Sequence, residues 1–147
     1  MEVTFIKRLL AAIVAAIIFA VIYSSISYVP QSQREYNTYY FGFFETAFFV
    51  ILYAGPVFLM VGIPCSILID KLSELGNLHS KKNKYIKRLI FYSIAGLLVG
   101  TVFPLILMPG DNSLSILFWY SLIGFAASTI YYHVLLLITS NNLFKSK

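Results

Sequence analysis

The chain has 147 residues, of which 59% are hydrophobic and only 12% are charged. Soluble domains are typically about 45–50% apolar and about 25% charged, so a soluble fold of this composition would expose large apolar patches. The net charge of +5 is compatible with nucleic acid, but membrane topology accounts for where the basic residues lie. The single cysteine, Cys65, excludes an internal disulfide and a CxxC redox or zinc site.

Four apolar segments are long enough to span a bilayer, because about 20 apolar residues cross a hydrocarbon core roughly 30 Å thick. They cover residues 9–29, 41–69, 89–108 and 114–138. Backbone amides find no water in hydrocarbon and no barrel-like alternation is present, so each segment is predicted to be a helix. The predicted fold is all-α: a single membrane domain forming an antiparallel four-helix bundle, with two helical hairpins joined by a basic loop.

The lysines and arginines predict the orientation, since basic residues are retained on the cytoplasmic side. Only Arg34 lies between the first and second spans. The other ten precede the first span, follow the second or follow the fourth: Lys7, Arg8, Lys71, Lys81, Lys82, Lys84, Lys87, Arg88, Lys145 and Lys147. Both termini and the loop 70–88 are therefore predicted to be cytoplasmic, in a multi-pass protein of the cell membrane.

Three features of this organisation have two interpretations each. Residues 1–30 form a first span or, less favourably, a cleaved signal peptide. The loop 70–88, with Leu72, Leu75 and Leu78 at helical spacing, is an interfacial helix over anionic headgroups or a solvated connector. The similar segments 5–10 and 85–90 indicate a duplicated hairpin or the common pattern at cytoplasmic helix starts, and the common pattern is favoured.

Small residues mark two helix-packing faces. Ala12, Ala16 and Ala20 recur every fourth position in the first span, and Gly96 and Gly100 form a GxxxG pair in the third. Such faces let helix backbones approach closely in a membrane. They predict homodimerisation or, as the favoured interpretation, packing within the bundle.

Three prolines predict bent helices. Pro56 and Pro64 lie within the second span and Pro104 within the third. Each removes a backbone hydrogen bond, and the freed carbonyls either bind ions, as in transporters, or are satisfied by neighbouring helices.

Two ionisable residues are candidates for proton or ion coupling. Glu45 lies about one turn inside the second span, where it couples transport or only complements the helix dipole. His133 lies near the inner end of the fourth span and relays a proton or forms a structural hydrogen bond. Asp70, at the inner end of the second span, is interpreted as a water-facing boundary residue.

The segment Phe5-Ile6-Lys7-Arg8-Leu9 and the four-span organisation resemble small membrane proteins of unknown function from Bacillus-like Gram-positive bacteria. In size and span number the chain also resembles the small multidrug-resistance transporters. Those transporters use a glutamate in their first helix, and this first span contains no acid. The second resemblance therefore implies architecture alone.

The sequence contains no nucleophile–base pair, HExxH or GxSxG motif, so it predicts neither an enzyme nor a cofactor or metal site. The favoured hypothesis is an accessory, regulatory or immunity-type protein that contacts another membrane protein or itself. The alternative is a small oligomeric transporter or channel that uses Glu45 and the proline-bent second span. An outward-facing alanine stripe would favour contacts between proteins, and a mid-membrane cavity lined by Glu45, the bend or His133 would favour transport.

Overall fold

The structure, a computed structural model, describes residues 3–74, 81–107 and 113–140. In these residues every regular element is helical and no strand occurs. The described chain contains four helices that are long and apolar enough to cross a membrane, namely Phe5–Ser27, Phe43–Ser73, Asn83–Ile106 and Leu114–Ser140. The predicted all-α membrane bundle is confirmed.

The four spans comprise five α-helices. They are α1 (Phe5–Ser27), α2 (Phe43–Val57), α3 (Ile63–Glu74), α4 (Lys81–Leu107) and α5 (Leu114–Ser140). A π turn, Phe58–Gly62, joins α2 to α3, so the second span is one continuous helix with a widened turn in its middle. A short 3₁₀ turn, Gln31–Gln33, lies between α1 and α2.

The helices extend beyond the predicted apolar segments where the charged residues lie. The second span continues to Glu74, and α4 already begins at Lys81, so most of the predicted loop 70–88 is helical. Polar residues continue a helix as readily as apolar ones, and hydropathy therefore marks the hydrocarbon rather than the helix end. Leu75 and Leu78 of the predicted interfacial helix lie outside the described residues, as does the predicted turn 109–112.

The helices pack in the order α2, α1, α5, α4, and α3 then returns to α4. One end of the bundle holds the start of α1, the end of α3, the start of α4 and the end of α5. We call it the basic end, because the described residues Lys7, Arg8, Lys71 and Arg88 lie there. The ring of helices is closed at this end, where α3 meets α4.

The bundle is open toward the opposite end. There α2 packs against α1, while α4 and α5 are not among its principal neighbours. No described residue of α2 is fully buried. In an apolar 18-residue stretch of each span, only 11% of the residues are buried in the second span, against 39% in the first, which lies between two neighbours. The half of the second span that precedes the π turn is thus the least covered apolar helix of the described chain.

The closest helix pair is α4 with α5, and glycines form the contact. A Cβ atom on Gly96 would lie 2.4 Å from the Gly124 carbonyl oxygen, and one on Gly100 would lie 2.4 Å from the Tyr120 carbonyl oxygen. Any side chain at these positions would force the backbones apart. The GxxxG face therefore packs inside the chain, against a third glycine on α5.

The alanine face of α1 is also internal. Ala12 and Ala20 are fully buried and Ala16 is 4% exposed. Beside them Phe19 contacts Phe58 with ring centroids 6.0 Å apart, and Phe58 contacts Tyr131 at 6.4 Å. The π turn thus directs a ring into the centre of the bundle.

Candidate functional site

A cluster of buried charges lies at the basic end, and it begins with Arg8. This arginine is in the first turns of α1, on the same face as Ala12 and Ala15, so the helix directs it into the bundle. It is only 6% exposed. Its Nη1 donates to Ser66 Oγ at 2.6 Å, and its Nη2 pairs with Asp70 Oδ2 at 2.5 Å.

Asp70 accepts from two arginines at once. Its other carboxylate oxygen, Oδ1, lies 3.0 Å from Nη2 of Arg88 on α4. The side chains of Asp70 and Arg88 are 14% and 19% exposed, so the pair is largely removed from solvent. Two guanidinium groups share one carboxylate, which leaves the cluster with one excess positive charge.

Hydroxyl groups connect the cluster to the remaining helices. Ser73 Oγ accepts from Arg88 Nε at 3.2 Å and donates to the Asp70 carbonyl at 2.8 Å. Ser66 Oγ donates to the Ile63 carbonyl at 2.8 Å and accepts from Tyr131 of α5 at 3.3 Å. The network therefore joins all four spans, and a charge inside it is both paired and hydrogen-bonded, as a buried charge requires.

A cleft of about 130 Å³ opens beside this cluster. Asp70, Arg88 and Tyr92 line it together with Val3 and the α5 residues Tyr132, Leu135, Leu136, Thr139 and Ser140. Tyr92 is 3% exposed, and its hydroxyl is fully covered. Its ring stacks on Tyr132 with centroids 4.9 Å apart. The site combines the excess positive charge of the cluster with a cleft whose lining includes Leu135 and Leu136.

Glu45 lies far from this cluster, at the opposite end. It is exposed and occupies the first turn of α2, where its Oε2 accepts from the Gly42 backbone N–H at 2.8 Å. Tyr39 donates to the same carboxylate at 3.1 Å, and this hydrogen bond raises the pKa of Tyr39 above its ordinary value. These contacts are those of a helix-capping residue.

His133 lies toward the basic end but faces outward. Its Nδ1 is 2.8 Å from the Thr129 carbonyl, which can only accept, so Nδ1 carries the proton. Its Nε2 then accepts from Tyr85 of α4 at 3.1 Å. His133 thus bridges α4 and α5, and the structure does not bring it together with Glu45.

The prolines of the second span bracket its irregular turn. Pro56 lies two residues before the π turn and Pro64 two residues after it. Pro104 is buried within α4, which continues through it as a helix. A π turn often marks a functional position. Here it carries Phe58 into the core.

The interpretation of Asp70 as a water-facing residue is wrong, because its side chain is only 14% exposed. The adjacent Lys71 suggested a position in water, although consecutive residues lie on different faces of a helix. Ser66, Asp70 and Ser73 are spaced four and three residues apart, which places them on one face of α3. Arg8 likewise continues the alanine face of α1. A charged residue on a helix face that is otherwise small or apolar was the signal available in the sequence. No spacing rule pairs Arg8 with Asp70, however, because they are 62 positions apart.

The fold and the buried cluster define an α-helical integral membrane protein whose spans are joined at one end by ion pairs. Comparisons with protein-family models, curated proteins and solved structures find no significant match.

Proposed function

We propose that this is a non-enzymatic accessory, regulatory or immunity-type membrane protein that acts by contacting another membrane protein. The observation that supports the proposal is the uncovered side of the second span. We call it the docking face and define it by Phe44, Phe48, Leu52 and Gly55, which share one side of α2. Its side chains are 84% exposed at Phe44, 64% at Phe48 and 55% at Leu52. The alanine stripe, which would also have suited contacts between proteins, is occupied within the chain.

Tyr53 lies about 160° around α2 from Gly55, outside the docking face, and it also favours a protein over lipid as a neighbour of this helix. It is 70% exposed and lies ten residues into α2. At ~1.5 Å per residue this places it about 15 Å along a helix that crosses a core ~30 Å thick. A phenol hydroxyl gains nothing from lipid chains at that depth, whereas a neighbouring helix can supply an acceptor.

Gly55, on the docking face itself, supports a protein occupant for a steric reason. No atom lies within 4 Å of the position that a Cβ would occupy on this residue. The docking face therefore contains a notch, beside the bulky Phe48 and Leu52, into which a helix can pack closely. Gly96 and Gly100 already perform this role between α4 and α5.

We also infer that the basic end faces the cytoplasm of a cell membrane. Ten of the eleven lysines and arginines belong to that side in the four-span topology. Arg34, the exception, is held locally: its Nε donates to the Val29 carbonyl at 3.0 Å, and it lies over the Tyr28 and Tyr40 rings.

Site-specific photo-crosslinking in native membranes tests the proposed contact. A benzoyl-phenylalanine replaces Phe48 on the docking face, and Ile17 on the exposed side of α1 is the matched control, since it is 46% exposed. We expect a discrete protein adduct at position 48 and none at position 17. Gly55→Ile should abolish the adduct by filling the notch.

The mass of the adduct identifies the partner as another protein or a second copy of this chain. An adduct that persists in Gly55→Ile, or equal labelling at both positions, would contradict docking on this face. The formation of lipid adducts alone at position 48 would also contradict docking on this face.

The second candidate function is that of a small oligomeric transporter or channel. The π turn between Pro56 and Pro64 supports it. A hinge in the middle of a span suits a moving helix. This candidate predicts that Pro56→Ala abolishes an established flux or resistance phenotype and that Glu45→Gln reduces it. The docking proposal predicts that both variants retain the phenotype.

A further inference from the structure

We propose that the cleft at the basic end is a binding site for the phosphate group of an anionic phospholipid, with Arg88 as its polar contact. The acyl chain would leave along the apolar wall of Leu135 and Leu136. This site is separate from the docking face, which belongs to the opposite half of the second span.

Charge is the first reason. Arg8 and Arg88 together exceed the single carboxylate of Asp70 by one positive charge. Both oxygens of Asp70 already accept from these arginines, so the carboxylate is neutralised where the cleft meets it. Arg88 directs Nε to Ser73 and Nη2 to Asp70, and a guanidinium has five N–H donors, which leaves donors for a further oxygen.

Tyr92 lines the cleft, but its hydroxyl is fully covered and lies beside Ser66 inside the bundle. Arg88, whose side chain is 19% exposed, is therefore the polar group that the cleft offers to a phosphate oxygen.

The shape of the site favours a lipid over a free anion. A volume of about 130 Å³ admits a phosphate group but not a whole lipid, so the rest of the ligand must lie outside. Leu136 is 37% exposed at the rim and Leu135 is buried beneath it, which provides an apolar exit. Arg88 is five residues inside the spanning segment that begins at Asn83, about 7.5 Å along the helix and near headgroup depth.

The test uses native mass spectrometry of the full chain in a non-ionic detergent. Dioleoyl-phosphatidylglycerol is titrated against dioleoyl-phosphatidylcholine, which has the same chains and a zwitterionic headgroup. We expect one phosphatidylglycerol to bind about tenfold more tightly than phosphatidylcholine, because the choline cation offsets the phosphate charge and is repelled by the excess positive charge of the cluster. Thermal unfolding with inorganic phosphate is measured in parallel.

Three variants separate the site from general attraction to a basic surface. Leu136→Trp fills the cleft without changing any charge, and Arg88→Gln removes its cation. Both should abolish the tenfold preference. Lys71→Gln removes one exposed positive charge at the same end but outside the cleft, and it should keep the preference within about twofold.

Equal binding of the two lipids would overturn the proposal, as would a Leu136→Trp protein that still prefers phosphatidylglycerol. If inorganic phosphate alone raises the unfolding temperature and competes with phosphatidylglycerol, the ligand is a free anion and the lipid assignment is wrong. Should Arg88→Gln fail to fold, Leu136→Trp still decides the question, because it leaves the charge cluster intact.

Discussion

The two ends of this bundle are held together in different ways. At the basic end Arg8, Asp70 and Arg88 connect three spans through ion pairs, and Tyr131 brings in the fourth. Toward the opposite end the second span packs against α1 and leaves its other side uncovered. The polar end is therefore closed and the apolar end is open.

This difference follows from the physics of a bilayer. Lipid chains are as apolar as leucine, so an apolar helix face gains little from meeting another one. Helices associate where polar groups pair or where small residues let backbones approach. α2 offers neither to α4 or α5, whereas α3 offers Asp70 and Ser66 at its inner face. The second span thus changes its character at the π turn.

The largest effect is expected from removing the shared carboxylate. Asp70→Ala leaves two arginines largely buried beside each other without a counter-ion, so we expect a loss of about 3–5 kcal/mol of stability. Unfolding monitored by circular dichroism in mixed detergent and dodecyl sulfate measures it. Glu35→Gln, which removes an exposed carboxylate from the loop at the opposite end, should change stability by no more than about 0.5 kcal/mol.

The double variant Asp70→Asn with Arg8→Gln tests whether charge balance is the cause. It removes one charge of each sign and should be less destabilised than the two single losses together, because coupled residues are not additive. Additive losses would show that the three residues act independently, contrary to the shared-carboxylate geometry.

A smaller loss is expected at the glycine contact. In Gly96→Ala a methyl group would meet the Gly124 carbonyl at 2.4 Å, so α4 and α5 must separate, at a cost of about 1–3 kcal/mol. Gly55→Ala places the same methyl where no atom lies within 4 Å, and it should be neutral or slightly stabilising. The same unfolding assay compares the two. Equal losses would mean that glycine serves flexibility rather than contact at both sites.

The smallest effect is expected at Glu45, on the open end. Its carboxylate accepts from Tyr39, which raises the pKa of that phenol, so Glu45→Gln should lower the pKa of Tyr39 toward its ordinary value. At a given alkaline pH more Tyr39 phenolate should then be present. Titration of ¹³C-labelled tyrosine by nuclear magnetic resonance, assigned with Tyr39→Phe, measures the shift. An unchanged or higher pKa would contradict the capping geometry.

The sequence predicts the four helices well because membrane insertion depends on local properties. A long apolar run decides each span, and the structure confirms the bundle that those runs imply. The sequence is less informative at helix ends. The helices extend to Glu74 and begin at Lys81, whereas hydropathy predicts spans that stop short of both residues. Hydropathy therefore predicts which residues lie in the hydrocarbon, whereas the length of each helix also depends on backbone hydrogen bonding.

The buried cluster could not be predicted, because its members lie far apart in the chain. Lys7 and Arg8 are identical as topology signals, yet only Arg8 lies on the buried alanine face. Asp70 and Lys71 differ in the same way. Helical phase distinguishes the residues of each pair, but Arg8 acquires its partner only when α1 and α3 meet. The GxxxG spacing of Gly96 and Gly100, by contrast, predicts close helix packing from the sequence alone.

Distances between spin labels test the closed and open ends most directly. In a Cys65→Ser background in lipid nanodiscs, one labelled pair is placed at Leu72 and Ile86 and the other at Phe48 and Val102, all exposed positions. Double electron–electron resonance should give a short distance between α3 and α4 at the basic end. It should give a clearly longer one between α2 and α4 at the opposite end. Equally short distances for the two pairs would show that the second span is covered along its whole length, and would contradict the open face on which the proposed function rests.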